Sequence, residues 1–329
     1  MDDPLWQGGA VWQLVFGQAD EDGALDVLDH ICRTAVGSGV DAKLFGETSV
    51  GVVFGLRLVD GRRIVVKAHQ PRERAAFLLA AHDAQLKLHK SGFPCPLPLS
   101  TPMAFGDAHA TFEELVDEGT LKDSRSPGVR RTMAETLAWH LELTKRCGVH
   151  AGFDGGWRVW DAATVWPAEA HSPIFDFAAT AEGAEWIDEI ARAARRRFAA
   201  GEHQVGHSDW SAKHFRFVDG VVRIVYDWDS LSLQSEEQLV GTAAGTFTAN
   251  PLLHDGVYVP PLPEEVRLFI DEYSTARASP LSSTQRLSIH AAATYIIAYS
   301  ARCEHALAQY GRFSEALREF GSSYLEPES

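Results

Sequence analysis

Between Val205 and Leu231 the chain reads VGHSDWSAKHFRFVDGVVRIVYDWDSL, with His207, Asp209 and His214 ahead of a two-strand pattern and Asp227 and Asp229 behind it. The pattern is FRFV, an Asp219-Gly220 pair, then VVRIVYD. Asp-Gly between β-branched or aromatic runs signals a hairpin, because a two-residue turn of the favoured hand needs positive φ at both positions. Such a ribbon returns the chain to its starting edge and makes Asp209 and Asp227 neighbours. Two adjacent carboxylates can divide the work, one handling a proton and the other a cation. With two histidines beside them the group suits a metal site, an acid–base site, or both.

The elements that must position these residues change character along the chain. From Ser49 to His69 strand-like runs flank Asp60-Gly61, which predicts another hairpin. Arg72 to Gly92 has a helical pattern, and Pro94, Pro96 and Pro98 enforce an extended exit. His109 to Val116 predicts a strand that runs into a connection at Gly119. From about Ser126 the period is helical, as in Arg130–Lys145 and Glu185–Ala200, with a Trp-, Pro- and Gly-rich loop between Val149 and Thr180. The expected organisation is a sheet-based lobe over residues 1–117 and a mainly helical lobe over 118–329 that carries the embedded hairpin.

Composition narrows the function classes. The chain has 329 residues, a hydrophobic fraction of 45% and a formal net charge of −15, an ordinary globular balance. That charge argues against a nucleic-acid surface, which needs clustered Lys and Arg, and makes a cationic small molecule a natural guest, although acidity also serves solubility. Cys32, Cys95, Cys147 and Cys303 have no metal-finger spacing and read as reduced thiols of a cytoplasmic protein. The first residues, MDDPLWQGG, lack a secretory pattern, and the apolar run Ile289–Ala301 is too short to span a bilayer, so no membrane association is expected.

The order His207-Ser208-Asp209, His214, hairpin, Asp227-Trp228-Asp229 resembles the catalytic loop and metal-binding segment of the aminoglycoside phosphotransferase family, relatives of choline kinases and protein kinases. GETSVG, Lys67 and the downstream helical stretches stand in the expected order. The resemblance implies an α+β, protein-kinase-like two-lobed fold, with an antiparallel sheet and one helix in the N-terminal lobe and a larger helical C-terminal lobe. It also implies transfer of the γ-phosphate of ATP or GTP to a small-molecule hydroxyl, in an antibiotic such as an aminoglycoside or in an ordinary metabolite.

On that reading Asp209 accepts or orients the hydroxyl proton, His207 holds the loop, Asp227 binds Mg²⁺, and Asp229 assists the metal or contacts substrate. At His214 the family carries Asn. An imidazole matches a hard cation poorly, so a weakened second metal site, a softer ion such as Mn²⁺, or a direct phosphate contact are the alternatives.

In the N-terminal lobe Gly46, Ser49 and Gly51 are the phosphate-loop candidates, and Lys67 is the residue for the α- and β-phosphates. Asp83 on the following helix is its expected partner, since Glu73 stands too near in sequence. Glu113, Glu114 and Leu115 offer backbone groups to a base edge.

Trp157, Trp160, Trp166, Trp210 and Trp228 give an aromatic density suited to sugars or cations. Trp210 and Trp228 are the nearest substrate candidates, with Glu236 and Glu237 available for an amine. The basic run Arg192, Arg195, Arg196 and Arg197 reads as a solvated helix face. A monomer or homodimer is expected. Two other readings use the same residues: a metal-dependent hydrolase with all five His and Asp groups around two ions, and a pseudokinase-like nucleotide-binding protein.

Overall fold

The computed structural model describes residues 8–17, 19–71, 74–149, 152–153, 164–167, 174–309 and 311–326. The chain divides into two units, residues 1–117 and 118–329. In the first, strands β1 (Val40–Thr48), β2 (Val52–Leu58), β3 (Arg63–His69), β4 (Pro98–Phe105) and β5 (Ala108–Glu114) form one sheet in the order β1-β2-β3-β5-β4. Every neighbouring pair is antiparallel. On one face of this sheet Val52, Phe54, Leu56, Ile64, Val66, Ala110 and Phe112 pack with Leu28, Ile31 and Cys32 into a buried core. Alternation then puts Val65, Lys67, Thr111 and Glu113 on the opposite face.

The sheet unit carries three described helices rather than the single one expected: α1 (Gly8–Phe16), α2 (Glu21–Val36) and α3 (Ala75–Lys90). The signal for α2 is in the sequence. Asp20 caps it by accepting the Gly23 N–H, Glu21 and Asp22 favour its positive end, and Gly37 ends it at φ +77°.

The two Asp-Gly turns are built differently. At Asp219-Gly220 both residues have positive φ, 50° and 81°, the two-residue turn expected between β7 (Phe215–Val218) and β8 (Val221–Val225). At Asp60-Gly61 only the glycine does, at 88°. There the Leu58 N–H donates to the Arg62 carbonyl, so the turn is longer and the Asp60 carboxylate is tied to Arg62.

The second unit contains α4 (Pro127–Arg146), α5 (Glu185–Arg197), α6 (Glu236–Thr246), α7 (Pro263–Ala276), α8 (Ser283–Ala306) and α9 (Arg312–Tyr324). It also contains the β7–β8 ribbon and a second antiparallel ribbon of β6 (His203–His207) with β9 (Leu231–Ser235). No helix among the described residues is long and apolar enough to cross a membrane. Cys32, Cys95 and Cys303 are buried, Cys147 is half-buried, and none is in a disulfide.

Helix α6 lies against α8 at backbone distance. A Cβ on Gly241 would stand 2.6 Å from the Ile289 carbonyl oxygen and 2.4 Å from the Ala292 Cβ, and one on Gly245 would stand 2.9 Å from the Ala293 carbonyl oxygen. Main-chain atoms cannot rotate aside, so the glycine pair sets this spacing. Gly241→Ala is therefore expected to destabilise the protein by about 1–3 kcal/mol, read as a lower denaturation midpoint. The same substitution at Gly128, with nothing within 4 Å of its Cβ position, should leave the midpoint nearly unchanged or slightly raised.

Candidate active site

Two ribbons hold the segment that carries Asp209. The β6–β9 ladder ends with His207 opposite Leu231, and Ser208 continues it, its N–H donating to the Ser230 carbonyl at 2.9 Å. The β7–β8 ladder begins at Phe215 opposite Val225, and the Tyr226 N–H donates to the His214 carbonyl at 3.0 Å. Asp209 and Asp227 each leave an end of these ladders, which is why they meet. Asp227 takes a left-handed conformation at φ 73°, and its Oδ2 accepts from the Ser230 hydroxyl at 2.6 Å.

His207 is fully buried, with both ring nitrogens in use. The Asp209 N–H donates to Nδ1 at 3.2 Å, so the ring proton is on Nε2, which donates to the Tyr226 carbonyl at 3.0 Å. Its own N–H donates to Nε2 of His140, on α4, at 3.1 Å. Burial lowers the pKa of both rings, that of His140 to about 3 and that of His207 to about 4, in the latter against the opposing pull of Asp227 and Asp209. These neutral rings orient backbone and do not exchange protons with a substrate.

Around them stand the tryptophans expected to touch substrate. Trp210 is 0% exposed and donates to the Met133 carbonyl at 3.1 Å; Trp228 is 1% exposed and donates to the Val225 carbonyl at 2.8 Å. His140 stacks on Trp210 with centroids 5.7 Å apart, and His207 meets both indoles edge-on. Trp210 and Trp228 therefore form the floor beneath the loop and are removed from the substrate-binding set. Trp166 is likewise buried and donates to Asp188, while Trp157 and Trp160 lie outside the described residues.

The Asp209 carboxylate is crowded with donors. Oδ1 accepts from the Ser211 hydroxyl at 2.7 Å, and Oδ2 accepts from Lys213 Nζ at 2.9 Å and from His214 Nε2 at 3.0 Å. Burial pushes its pKa up, but the Lys213 ammonium and the His214 ring outweigh this and hold the carboxyl well below the usual range. His214 Nε2 also lies 3.7 Å from Asp227 Oδ2, so one imidazole stands between the two carboxylates.

Asp209, His214 and Asp227 bring ligand atoms within 4.8 Å of one another, and no group of this kind among the described residues includes Asp229 or His207. The five-residue, two-ion cluster of a hydrolase is thus not formed. As a cation donor set the three are unequal. His214 Nε2 and Asp209 Oδ2 face each other, and Oδ2 already carries an ammonium, whereas Asp227 is a carboxylate of the kind a hard cation selects.

Glu236 and Glu237 are not available to a substrate amine. Glu236 accepts from the Tyr273 hydroxyl at 2.6 Å and pairs with Arg277 at 2.9 Å, and Glu237, 5% exposed, accepts from the Gly201 N–H at 3.1 Å. The α6 cap is Ser235, whose hydroxyl accepts from the Gln238 N–H.

In the sheet unit Lys67 is 9% exposed on β3, opposite Thr111, and Glu113, 8% exposed, is opposite Val65, one diagonal step away on the same face. Gln85 of α3 donates to the Glu113 carboxylate at 3.0 Å. Asp83, the expected partner, has a side chain 60% exposed and paired with His82, which removes it from that role; Glu73 lies outside the described residues.

The amides of Glu114 and Leu115 are spent within the sheet, on the Leu97 and Arg63 carbonyls, and so cannot donate to a base edge. The tip of the β1–β2 turn is fixed by a Ser49 N–H bond to the Gly51 carbonyl. Gly51 is needed for packing, because its Cβ would stand 2.8 Å from the Ala68 carbonyl oxygen, while Gly46 has no backbone within 4 Å of that position.

Sequence reading passed over Lys213 and the segment that backs it. The Ala212 and Lys213 amides donate to the Phe247 and Ala249 carbonyls, and the Lys213 ammonium lies 5.6 Å from the centroid of the Tyr258 ring. A lysine four residues after Asp209, inside the loop, was the available signal.

By sequence the chain matches no family model and no curated protein. By fold it is similar to an amicoumacin kinase solved with AMP-PNP, Ca²⁺ and Ami, at a TM-score of 0.67 and 11% identity over 93% of each chain. It is also similar to a spectinomycin phosphotransferase solved with ADP and spectinomycin, at 0.55 and 10% identity over 92% of this chain and 94% of that one. A macrolide 2′-phosphotransferase from Brachybacterium faecium matches at 0.53 and 16% identity over 92% and 99%. The fold is therefore the protein-kinase-like fold of small-molecule phosphotransferases.

The buried histidine pair has a measurable consequence. His140 and His207 stay neutral in the folded protein, with pKa values of about 3 and about 4, and take up protons in the unfolded chain below about pH 6.5. Their contribution is complete above that pH and is lost as pH falls toward 4, by about 1.4 kcal/mol per pH unit for each ring. Urea midpoints taken at pH 7 and pH 5 should differ, and the difference should shrink in a His140→Gln variant.

Proposed function

We propose that the protein is an O-phosphotransferase that moves the γ-phosphate of ATP or GTP to a hydroxyl of a small molecule. The observation that carries this is the Asp209–His214–Asp227 arrangement on a protein-kinase-like fold, in which one carboxylate is met by a hydroxyl, an ammonium and an imidazole and the other lies 3.7 Å from the same imidazole. Asp209 holds the acceptor hydroxyl in line. The oxygen lone pair forms the new bond to phosphorus, the bond to the bridging oxygen breaks with its electrons staying on the nucleoside diphosphate, and the hydroxyl proton passes to Asp209. A carboxylate held at low pKa suffices, because in a loose transition state that proton becomes acidic late. Asp227 would hold Mg²⁺, which neutralises phosphate charge when bound. Lys67 would bind the phosphates, with Glu113 rather than Asp83 as its acidic neighbour.

The segment that brings Tyr258 beside Lys213 exposes mainly apolar side chains, with Asp255 exposed among them. Leu252, Leu253, Val257, Tyr258 and Leu262 are each more than 40% exposed in one segment. With Glu236 and Glu237 bound internally, this favours an acceptor that offers a hydroxyl on an apolar face over a polycation. A nucleotide-consumption screen over macrolides, peptide-like antibiotics, aminoglycosides, choline and sugars tests both statements, and turnover confined to aminoglycosides would contradict the second.

Asp209→Asn should lower turnover by at least about 10²-fold while leaving nucleotide binding intact. Asp227→Asn should abolish the Mg²⁺-dependent part of nucleotide stabilisation in a thermal-shift assay. Near-normal turnover in the Asp209 variant would end the kinase reading.

A further inference from the structure

We propose that the cleft between α5 and the Thr164–Pro167 segment is an anion site that holds a phosphate group, free or on a small molecule, on Arg192 and Arg196. It shares no residue with the Asp209–His214–Asp227 group and stands whether or not that group transfers phosphate. The basic run of α5 divides in the structure. Arg197 turns to the Leu325 carbonyl, to which its Nη1 donates at 3.1 Å. Arg192, Arg195 and Arg196 instead line, with Val165, a cleft of about 390 Å³.

The walls of the cleft are fixed before any ligand arrives. The Val165 carbonyl accepts from the Tyr295 hydroxyl of α8 at 2.8 Å, Trp166 Nε1 donates to Asp188 Oδ1 at 2.7 Å, and Arg195 Nη1 donates to the Thr164 carbonyl. Three successive residues are thus pinned to two helices, and Arg195 serves as an anchor of the wall. The positive charge inside is not cancelled by the carboxylate beside it. Asp188 gives its Oδ1 to Trp166, and its Oδ2 is 3.5 Å from Arg192 Nη2, a long contact on an arginine whose side chain is 51% exposed. Arg196 has no hydrogen bond or ion pair among the described residues. Two guanidiniums therefore face a preformed cleft in a chain whose net charge is −15.

Arg192 and Arg196 are four residues apart on one helix, so their side chains are neighbours on its surface and reach one anion together. A planar carboxylate is satisfied by one guanidinium fork, whereas a tetrahedral phosphate has oxygens for two forks from different sides. Single helix-end arginines would only complement the helix dipole, an effect that needs no cleft. The net negative charge repels nucleic acid and anionic membranes, which leaves small anions as the ligands.

Full-length wild type, Arg192→Gln, Arg196→Gln and the double variant are titrated calorimetrically with inorganic phosphate and with glucose 6-phosphate. Nucleotide and metal are omitted, ionic strength is held constant, and chloride is the control anion. Lys67→Met is carried alongside, because Lys67 is the other cation assigned to phosphate, and denaturation midpoints are recorded for every variant. The expected result is saturable binding in wild type and in Lys67→Met, weakened about tenfold in each single arginine variant and absent in the double variant, with unchanged midpoints. Glucose 6-phosphate bound at least as tightly as phosphate identifies a phosphorylated small molecule as the ligand, and the reverse order identifies the free ion. Equal affinity in wild type and the double variant would overturn the proposal. So would binding that disappears in Lys67→Met, or heats no larger than those of chloride.

Discussion

Two hydrogen bonds to one buried imidazole hold the candidate site together. His207 accepts the Asp209 amide on Nδ1 and donates from Nε2 to the Tyr226 carbonyl, so a single neutral ring sets the distance between the segment before the β7–β8 ribbon and the segment after it. The bonds are strong because the ring is dry, with Trp210, Trp228 and His140 closing it off. A charged ring would supply two donors and no acceptor, and the Asp209 amide would lose its partner. The aromatic floor and the depressed histidine pKa are thus parts of one arrangement.

Above that floor the electrostatics reverse. Partial burial raises the pKa of a carboxylate, whereas half-buried Asp209 is held low by an ammonium and an imidazole, with a hydroxyl on its other oxygen. The price is basicity, and phosphoryl transfer is a reaction that can do without it. The geometry suits a group that aligns a hydroxyl better than one that must remove its proton early.

Much of this was legible in the sequence where local chemistry decides. Asp219-Gly220 between apolar runs specified a ribbon, and the ribbon specified that Asp209 and Asp227 would meet. What was not legible depends on non-local pairing and on burial. Nothing in HQVGH or LSLQS marks them as partners, since a two-stranded pairing across intervening chain leaves no periodic trace. Trp210 and Trp228 looked like ligand platforms because composition cannot distinguish an indole facing a substrate from one beneath a loop. Asp83 was at a plausible place on α3, but helix phase turned it outward, and the acidic residue on the Lys67 face came from the sheet. The α2 caps were readable and simply call for the rule that Asp before Glu-Asp begins a helix and Gly ends it.

Asp227 has φ at 73°, a conformation that glycine reaches freely and a residue with a Cβ reaches only at a cost, somewhat relieved for Asp. The torsion by itself would therefore prefer glycine there. Glycine would relieve that torsion but would lose the carboxylate and the bond it accepts from the Ser230 hydroxyl. The backbone at Asp227 thus sets a torsion that favours glycine against a carboxylate that glycine cannot supply.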